Sequence, residues 1–186
     1  MNPNVRERLL QATYACVARW GLAKTTVEDA AHEAGVSRAT VYRYFPGGRD
    51  ELISAVVGWE FARFFLRLYE EVHGAETLEE VMERGLMFAH RSMVEHVVLQ
   101  RILVTEPDVL LPRLTVEADQ THTLIADFLS PYLIRHGMSQ GTDLDLAADF
   151  LARMVLSYIG SPGRWDLDDP EQVALLVRSE LLAGIR

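Results

Sequence analysis

The chain has 186 residues, 49% of them hydrophobic and 24% charged, which suits one folded domain or two small ones that share helices. A single cysteine, Cys16, excludes an internal disulfide framework and a zinc site built on paired cysteines. Without an apolar run of about 18 residues or a secretory signal pattern, we expect no membrane span and a cytoplasmic location.

The net charge of −9 is unevenly distributed along the chain. Residues 1–50 carry seven basic and five acidic side chains, whereas residues 51–186 carry 11 basic and 22 acidic ones. A slightly basic segment followed by a strongly acidic one indicates that the two parts have different partners.

Apolar residues recur at helical spacing throughout, and no sustained alternation indicates a strand. The pattern therefore predicts an all-α fold of about nine helices. In chain order, the predicted helices cover residues 4–20, 26–34, 37–44, 50–72, 77–95, a short run ending near 105, 112–136 with a kink at Pro131, 143–159 and 170–182.

Helix starts are marked by capping residues. Thr26 and Ser37 suit N-cap positions, because a hydroxyl oxygen can accept a free backbone N–H of the first turn. Thr77 followed by Glu80 predicts a capping box, in which side chain and backbone satisfy each other reciprocally. Asp169 before Pro170 predicts the start of the last helix.

The stretch "GVSRATVYRYF", residues 35–45, has the form of a helix-turn-helix: a short helix, a glycine turn and a second short helix. Val41 and Phe45 lie four apart and are predicted to face inward. The outward face is then cationic and aromatic and suits the major groove of DNA; it comprises Arg38, Ala39, Thr40, Tyr42, Arg43 and Tyr44. A plain solvated helix face is the competing interpretation.

Other chemistry finds little support in the sequence. "FPGGRD" lacks the spacing and the preceding strand of a phosphate-binding loop. His90 and His96 are six residues apart, which is not the spacing of metal ligands on one helix face, so we expect no metal site and no cofactor. An alternative function is a helical ligand-binding protein or enzyme without DNA binding, and another is a helix bundle serving protein contacts.

Residues 8–52, "RLLQATYACVARWGLAKTTVEDAAHEAGVSRATVYRYFPGGRDEL", resemble the N-terminal domain of the TetR family of bacterial transcriptional regulators. The resemblance is carried by one register of matches: Ala12, Gly21, Thr25, Thr26, Val27, Ala31, Ala34 to Ser37, Thr40 to Tyr42, Tyr44, Phe45 and Asp50 to Leu52. It implies a DNA-binding head over residues 1–48, a ligand-binding and dimerising body over residues 49–186, and a regulator rather than an enzyme.

The resemblance also implies roles for matched positions. Thr26 and Tyr42 resemble phosphate-contacting residues, and Arg49 stands where the family commonly has a lysine at a phosphate. The full predicted DNA-binding set is Lys24, Thr26, Ser37, Arg38, Ala39, Thr40, Tyr42, Tyr44 and Arg49. The implied partners are a palindromic operator in double-stranded DNA, a second copy of the chain and a small hydrophobic effector.

For the body, aromatic and methionine side chains predict an apolar ligand cavity with a few polar anchors. The predicted ligand-binding residues are Trp59, Phe64, Met87, His90, Arg91, His122, Phe128, Tyr132 and Tyr158. Apolar stripes on the last two helices predict either packing within the monomer or a homodimer interface. The predicted interface residues are Leu144, Ala148, Leu151, Val155, Ile159, Val173, Leu176, Val177 and Leu181.

Overall fold

A computed structural model describes residues 3–109, 118–137 and 142–185 of the chain. Within these residues there are nine α-helices of seven residues or more and no strand, which confirms the predicted all-α fold. The helices are α1 Pro3–Trp20, α2 Val27–Glu33, α3 Arg38–Tyr44, α4 Arg49–Val72, α5 Leu78–Val94, α6 Val97–Thr105, α7 Ala118–Arg135, α8 Thr142–Gly160 and α9 Pro170–Leu176. The predicted start of a helix near Pro112 lies outside the described residues.

The chain divides into two compact units. Unit 1 comprises Met1–Arg67 and Val97–Pro112, and unit 2 comprises Leu68–His96 and Arg113–Arg186. The predicted boundary after residue 48 stays a prediction, since unit 1 continues into α4 and also takes in α6.

Unit 1 is built around a core formed by α1–α3 and the first part of α4. Its buried members are Leu9, Leu10, Ala12, Val27, Ala30, Ala31, Ala34, Val41, Tyr44, Phe45, Leu52 and Val56. Three of its alanines, Ala30, Ala31 and Ala34, lie in α2 or directly after it and let α2 approach its neighbours closely. Cys16 is also fully buried, and this burial raises the pKa of its thiol.

Unit 2 has its own core, to which α5, α7, α8 and the C-terminal segment contribute. Fully buried leucines dominate it, among them Leu133, Leu151, Leu176 and Leu181. Each unit thus buries an apolar cluster of its own, as a compact folded unit requires.

The predicted caps are present, with one difference. The Ser37 hydroxyl accepts the Thr40 N–H at 3.2 Å, and the Thr77 hydroxyl accepts the Glu80 N–H at 3.1 Å. The Glu80 carboxylate, however, accepts the N–H of Glu76 at 2.9 Å, so the capping box predicted at Thr77 is replaced by a bond one residue earlier.

The C-terminal helix changes its geometry part-way. It begins as predicted, with Asp169 as N-cap and Pro170 in the first turn, but α9 ends at Leu176. A π-helical turn then spans Val177–Leu181, and a 3-10 turn spans Leu182–Ile185. The prediction of one regular helix to residue 182 is therefore corrected; the apolar spacing does not distinguish these three helical forms.

Candidate nucleic-acid interface

Local hydrogen bonds fix the start of α2 and the turn that follows it. The Thr26 hydroxyl accepts the Asp29 N–H at 3.1 Å, while the Asp29 carboxylate accepts from the Thr26 N–H and hydroxyl at 3.1 and 2.6 Å. Gly35 follows α2 with a φ of 61°, a conformation that other residues rarely adopt. The Gly35 and Val36 N–H groups donate to the carbonyls of His32 and Ala31 at 3.1 and 3.0 Å, so local bonds set the turn between the two helices.

The inward face of α3 carries three residues rather than the two predicted. Val41 and Phe45 are 0% and 1% exposed, which confirms their predicted inward position. Tyr44 is only 9% exposed and belongs to the same core, so its placement on the outward face is corrected. At spacings of three and four, residues 41, 44 and 45 share one side of a helix.

The outward surface of α3, here called the recognition face, consists of Arg38, Ala39, Thr40, Tyr42 and Arg43. Thr40 is half-buried and the other four are exposed. Ser37, the N-cap at the start of this face, uses its hydroxyl oxygen for the Thr40 N–H. The face presents two guanidinium groups, two small side chains and a phenol, which are groups that hydrogen-bond or contact base edges and phosphates.

Arg38 has two partners on this surface. Its Nη1 lies 2.6 Å from the Glu28 carboxylate of α2, and its Nη2 donates to the Tyr42 hydroxyl at 3.3 Å. The guanidinium also lies 5.5 Å from the centre of the Tyr42 ring. The Tyr42 bond and then the Glu28 charge raise the pKa of Arg38, so the group stays cationic. The sequence did not predict Glu28 as a partner of Arg38, because its position as the second residue of α2 gave no sign of this pairing.

Arg49 makes several bonds within unit 1, and the phosphate contact predicted for it stays a prediction. Its Nε donates to the Thr25 carbonyl at 2.8 Å, and its Nη2 donates to the carbonyls of Leu22 and Ala23 at 2.5 and 3.3 Å. These bonds tie the start of α4 to the loop between α1 and α2. Lys24, in the same loop, is exposed.

Comparison with known proteins identifies this arrangement. Residues 9–56 match the family model described as bacterial regulatory proteins, tetR family. The crystal structure of the TetR family repressor AlkX from Dietzia sp. matches with a TM-score of 0.69 and 26% identity, covering 97% of both chains. Residues 9–56 of this chain form a TetR-family N-terminal domain. Its α2–α3 segment is the helix-turn-helix of that family, whose members are regulators rather than enzymes.

Curated relatives match over part of the chain. The HTH-type transcriptional regulator BetI 2 of Chromohalobacter salexigens is 42% identical over 57 residues, which are 31% of this chain and 27% of that protein. An uncharacterized HTH-type transcriptional regulator of Mycobacterium tuberculosis is 27% identical over 79 residues, 42% of this chain and 41% of that protein. The matches thus span less than half of these relatives.

The predicted ligand-binding residues are divided between the two units. Trp59 and Phe64 belong to unit 1, and Trp59 lines a groove of about 600 Å³ with residues of α1 and α4. In unit 2, Met87, Phe128 and Tyr158 pack against one core, while Tyr132 is buried with its ring 5.5 Å from that of Phe128.

The predicted polar anchors mostly have partners within unit 2. His90 lies 3.8 Å from the Asp168 carboxylate, and His122 lies 3.3 Å from that of Asp149. Tyr158 donates to the Glu180 carboxylate; burial, followed by this bond, raises the pKa of Tyr158 to about 12. Arg91 is exposed. Three of the four predicted anchors, His90, His122 and Tyr158, therefore each interact with a different acidic residue of unit 2.

The predicted dimer-interface residues lie mainly in the core of unit 2. Seven of the nine are buried: Leu144, Ala148, Leu151, Val173, Leu176, Val177 and Leu181. Val155 and Ile159 are partly buried and pack against the same core. The structure corrects this assignment in favour of packing within the chain. The leucines of α8 and α9 that do reach the surface are Leu146, Leu156 and Leu175, at 62%, 37% and 52% exposure.

Two further observations concern other kinds of site. The described part of the chain holds no group of three His, Cys, Asp or Glu side chains able to bind a metal ion. Among the described helices, none combines the length and apolar character needed to cross a membrane.

Proposed function

We propose that this chain is a transcriptional regulator that binds a palindromic operator as a homodimer in the bacterial cytoplasm and is released by a small hydrophobic effector. The recognition face carries the proposal. It holds Arg38 and Tyr42 exposed on a short helix whose opposite side is locked into the core through Val41 and Phe45. A rigid support of this kind is what a base-reading side chain needs.

The chemistry of the face divides the contacts into two classes. Arg38 can donate to O6 and N7 of guanine, and Ala39 and the Thr40 methyl can contact the methyl group of thymine. Tyr42 through its hydroxyl, and Lys24 through its ammonium, bind phosphate oxygens irrespective of sequence. Arg38 is thus the proposed specificity residue of the head.

Dimerisation supplies the second half-site. One short recognition helix covers few base pairs, so a two-fold dimer reads inverted half-sites separated by roughly 34–36 Å or slightly more. We assign the interface to the exposed leucines of α8 and α9, Leu146, Leu156 and Leu175, in place of the buried stripe. Exposed leucines concentrated on two helices suit burial against a second copy.

An apolar effector is supported by the composition of unit 2. Met87 adapts readily to a guest, and it packs with Phe128 and Tyr158 against one core. AlkX, which matches over nearly the whole chain, is described as implicated in the biodegradation of n-alkanes. A ligand that favours one arrangement of the chain by about 1–3 kcal/mol would weaken operator binding roughly 5–150-fold.

The test begins with selection of a duplex from a randomised library and measurement of its binding by fluorescence anisotropy. Arg38→Ala should lose about 1–3 kcal/mol on the selected palindrome and discriminate less between bases. Tyr42→Phe should weaken binding to all sequences to the same extent, since it removes a phosphate contact. Arg19→Ala, which removes an arginine of α1 that pairs with Glu33, serves as the control and should bind like the parent. A parent chain that selects no sequence, or an Arg38→Ala variant equal to Arg19→Ala, would contradict the proposal.

A further inference from the structure

α6 contacts the end of α1, which belongs to the same unit but is more than 80 residues earlier in the sequence. Arg101, in α6, donates to the carbonyls of Ala18 and Val17 at 2.6 and 3.3 Å. These carbonyls lie in the last turn of α1, where the helix dipole favours a cation; the Val17 carbonyl also accepts the Gly21 N–H at 2.9 Å. Arg101 therefore caps α1 from outside the helix-turn-helix.

Glu106, directly after α6, contacts the loop that follows α1. Its Oε2 accepts the Ala23 N–H at 2.6 Å. Its Oε1 lies so close to Gly21 that a Cβ at that position would be 1.8 Å away. Gly21 also has a φ of 90°, a conformation that favours glycine, and a side chain at this position would displace the Glu106 carboxylate.

Arg49 and a bond within the loop hold the same residues through their carbonyl groups. Arg49 donates to the carbonyls of Leu22, Ala23 and Thr25, as described above. The buried Thr25 hydroxyl donates to the Gly21 carbonyl at 2.7 Å. Residues 21–25, here called the clamped loop, are thus fixed by Arg49 through their carbonyls and by Glu106 through an N–H.

The clamped loop leads directly to the proposed phosphate contacts. Lys24 lies within it and is exposed, and Thr26, the N-cap of α2, follows it. The Ala23 amide that Glu106 holds is on the exposed side of the molecule. Water would satisfy this N–H if Glu106 were absent, so the bond's main effect is to fix a position and not to rescue a buried group.

We infer that Glu106 is a positioning residue for operator binding: by holding the Ala23 N–H, it places Lys24 against a DNA phosphate. This inference rests on the proposed DNA-binding function. A carboxylate so near a phosphate-binding loop opposes DNA through its charge. Glu106 can favour DNA binding in spite of this repulsion only through its bond to Ala23. That bond must hold the clamped loop in the position from which Lys24 reaches a phosphate.

Two substitutions separate the effect of the length of the Glu106 side chain from the effect of its charge. Glu106→Asp keeps the charge but shortens the side chain by one methylene, so the carboxylate no longer spans the distance to Ala23. Glu106→Gln keeps the length and an oxygen acceptor but loses the charge. Glu95→Gln, which removes a carboxylate in unit 2, is the control for charge alone.

The measurement is operator affinity by anisotropy over a series of salt concentrations, with thermal unfolding of each variant alongside. One lost phosphate contact lowers the slope of log affinity against log salt by about 0.9 and costs about fivefold at 0.15 M salt. We expect this result for Glu106→Asp and for Lys24→Ala alike, and no further loss when the two are combined. Glu106→Gln should keep the parent slope and bind at least as tightly as Glu95→Gln.

The outcomes distinguish this inference from the function on which it rests. An unchanged salt slope in Glu106→Asp, or losses that add in the combination with Lys24→Ala, would overturn the positioning role even if the parent binds its operator. A folded Glu106→Gln variant whose salt slope is reduced as in Lys24→Ala would also overturn it, because glutamine keeps the oxygen that accepts the Ala23 N–H. A parent chain without operator binding would instead refute the proposed function itself.

Discussion

The ion pair between Glu28 and Arg38 places an acidic side chain in competition with DNA for the proposed base-reading residue. The two groups are 2.6 Å apart, and both side chains are more than half exposed, at 55% for Glu28 and 61% for Arg38. To reach a guanine, Arg38 has to leave Glu28. We therefore predict that Glu28→Gln binds the operator more tightly than the parent chain does.

The size of the gain follows from the exposure of the pair. An exposed ion pair contributes about 0–1 kcal/mol, so its removal strengthens DNA binding up to roughly fivefold. The lost carboxylate also stops repelling phosphates that lie within about 8 Å, the screening length at 0.15 M salt. Together these effects predict an increase of roughly 3–10-fold in affinity, and one that becomes smaller as the salt concentration rises.

Glu33→Gln is the matched control. It lies in the same helix, changes the charge equally and also breaks one ion pair, to Arg19 at 3.3 Å, away from the recognition face. Anisotropy titrations of both variants on the selected operator, at two salt concentrations, separate the local effect from the general one. Equal affinities for Glu28→Gln and Glu33→Gln would refute the competition. Weaker binding by Glu28→Gln with relaxed base preference would show that Glu28 orients Arg38.

Two further predictions concern the cap of α2 and the dimer interface. Thr26→Ala removes the N-cap and should destabilise the chain by about 1 kcal/mol and also weaken DNA binding, whereas Thr77→Ala, the equivalent change at α5, should lower only the unfolding temperature. Thermal unfolding and operator titration measure the two effects, and equal DNA binding by both variants would remove Thr26 from the interface. Leu156→Ser should shift sedimentation towards monomer at micromolar concentration, while Val104→Ser, on the 80% exposed Val104 of α6, should not. A Leu156→Ser dimer as stable as the parent's would exclude that part of the interface.

Features that depend on neighbouring residues were predictable from the sequence. Ser37 needs only the first turn of α3 to act as a cap, and the left-handed conformation at Gly35 depends on the local backbone. The inward placement of Val41 and Phe45 follows from their spacing. Tyr44 was within reach of the same rule, since it lies three residues after Val41; its polar hydroxyl favoured the outward assignment, but its ring is in the core.

Features that depend on tertiary contacts were not predictable in this way. Arg49 and Glu106 meet the clamped loop only after unit 1 has folded, because 83 residues separate Glu106 from Ala23. The leucine stripes of α8 and α9 were compatible with packing inside one chain or between two, since both demand the same helical spacing. Burial decides between them: Leu151 and Leu176 are fully enclosed by their own chain.

The burial of Cys16 makes the chain a convenient object for site-directed labelling. It is the sole cysteine of the sequence, it is 0% exposed, and burial raises the pKa of its thiol, so little of the reactive thiolate is present or accessible. A second cysteine introduced on the surface, for instance at Ala39, can carry a fluorophore or spin label without removal of the native thiol. The rate at which a maleimide modifies Cys16 then measures how often unit 1 opens, because the reagent reaches the thiol only when α1 separates from its neighbours.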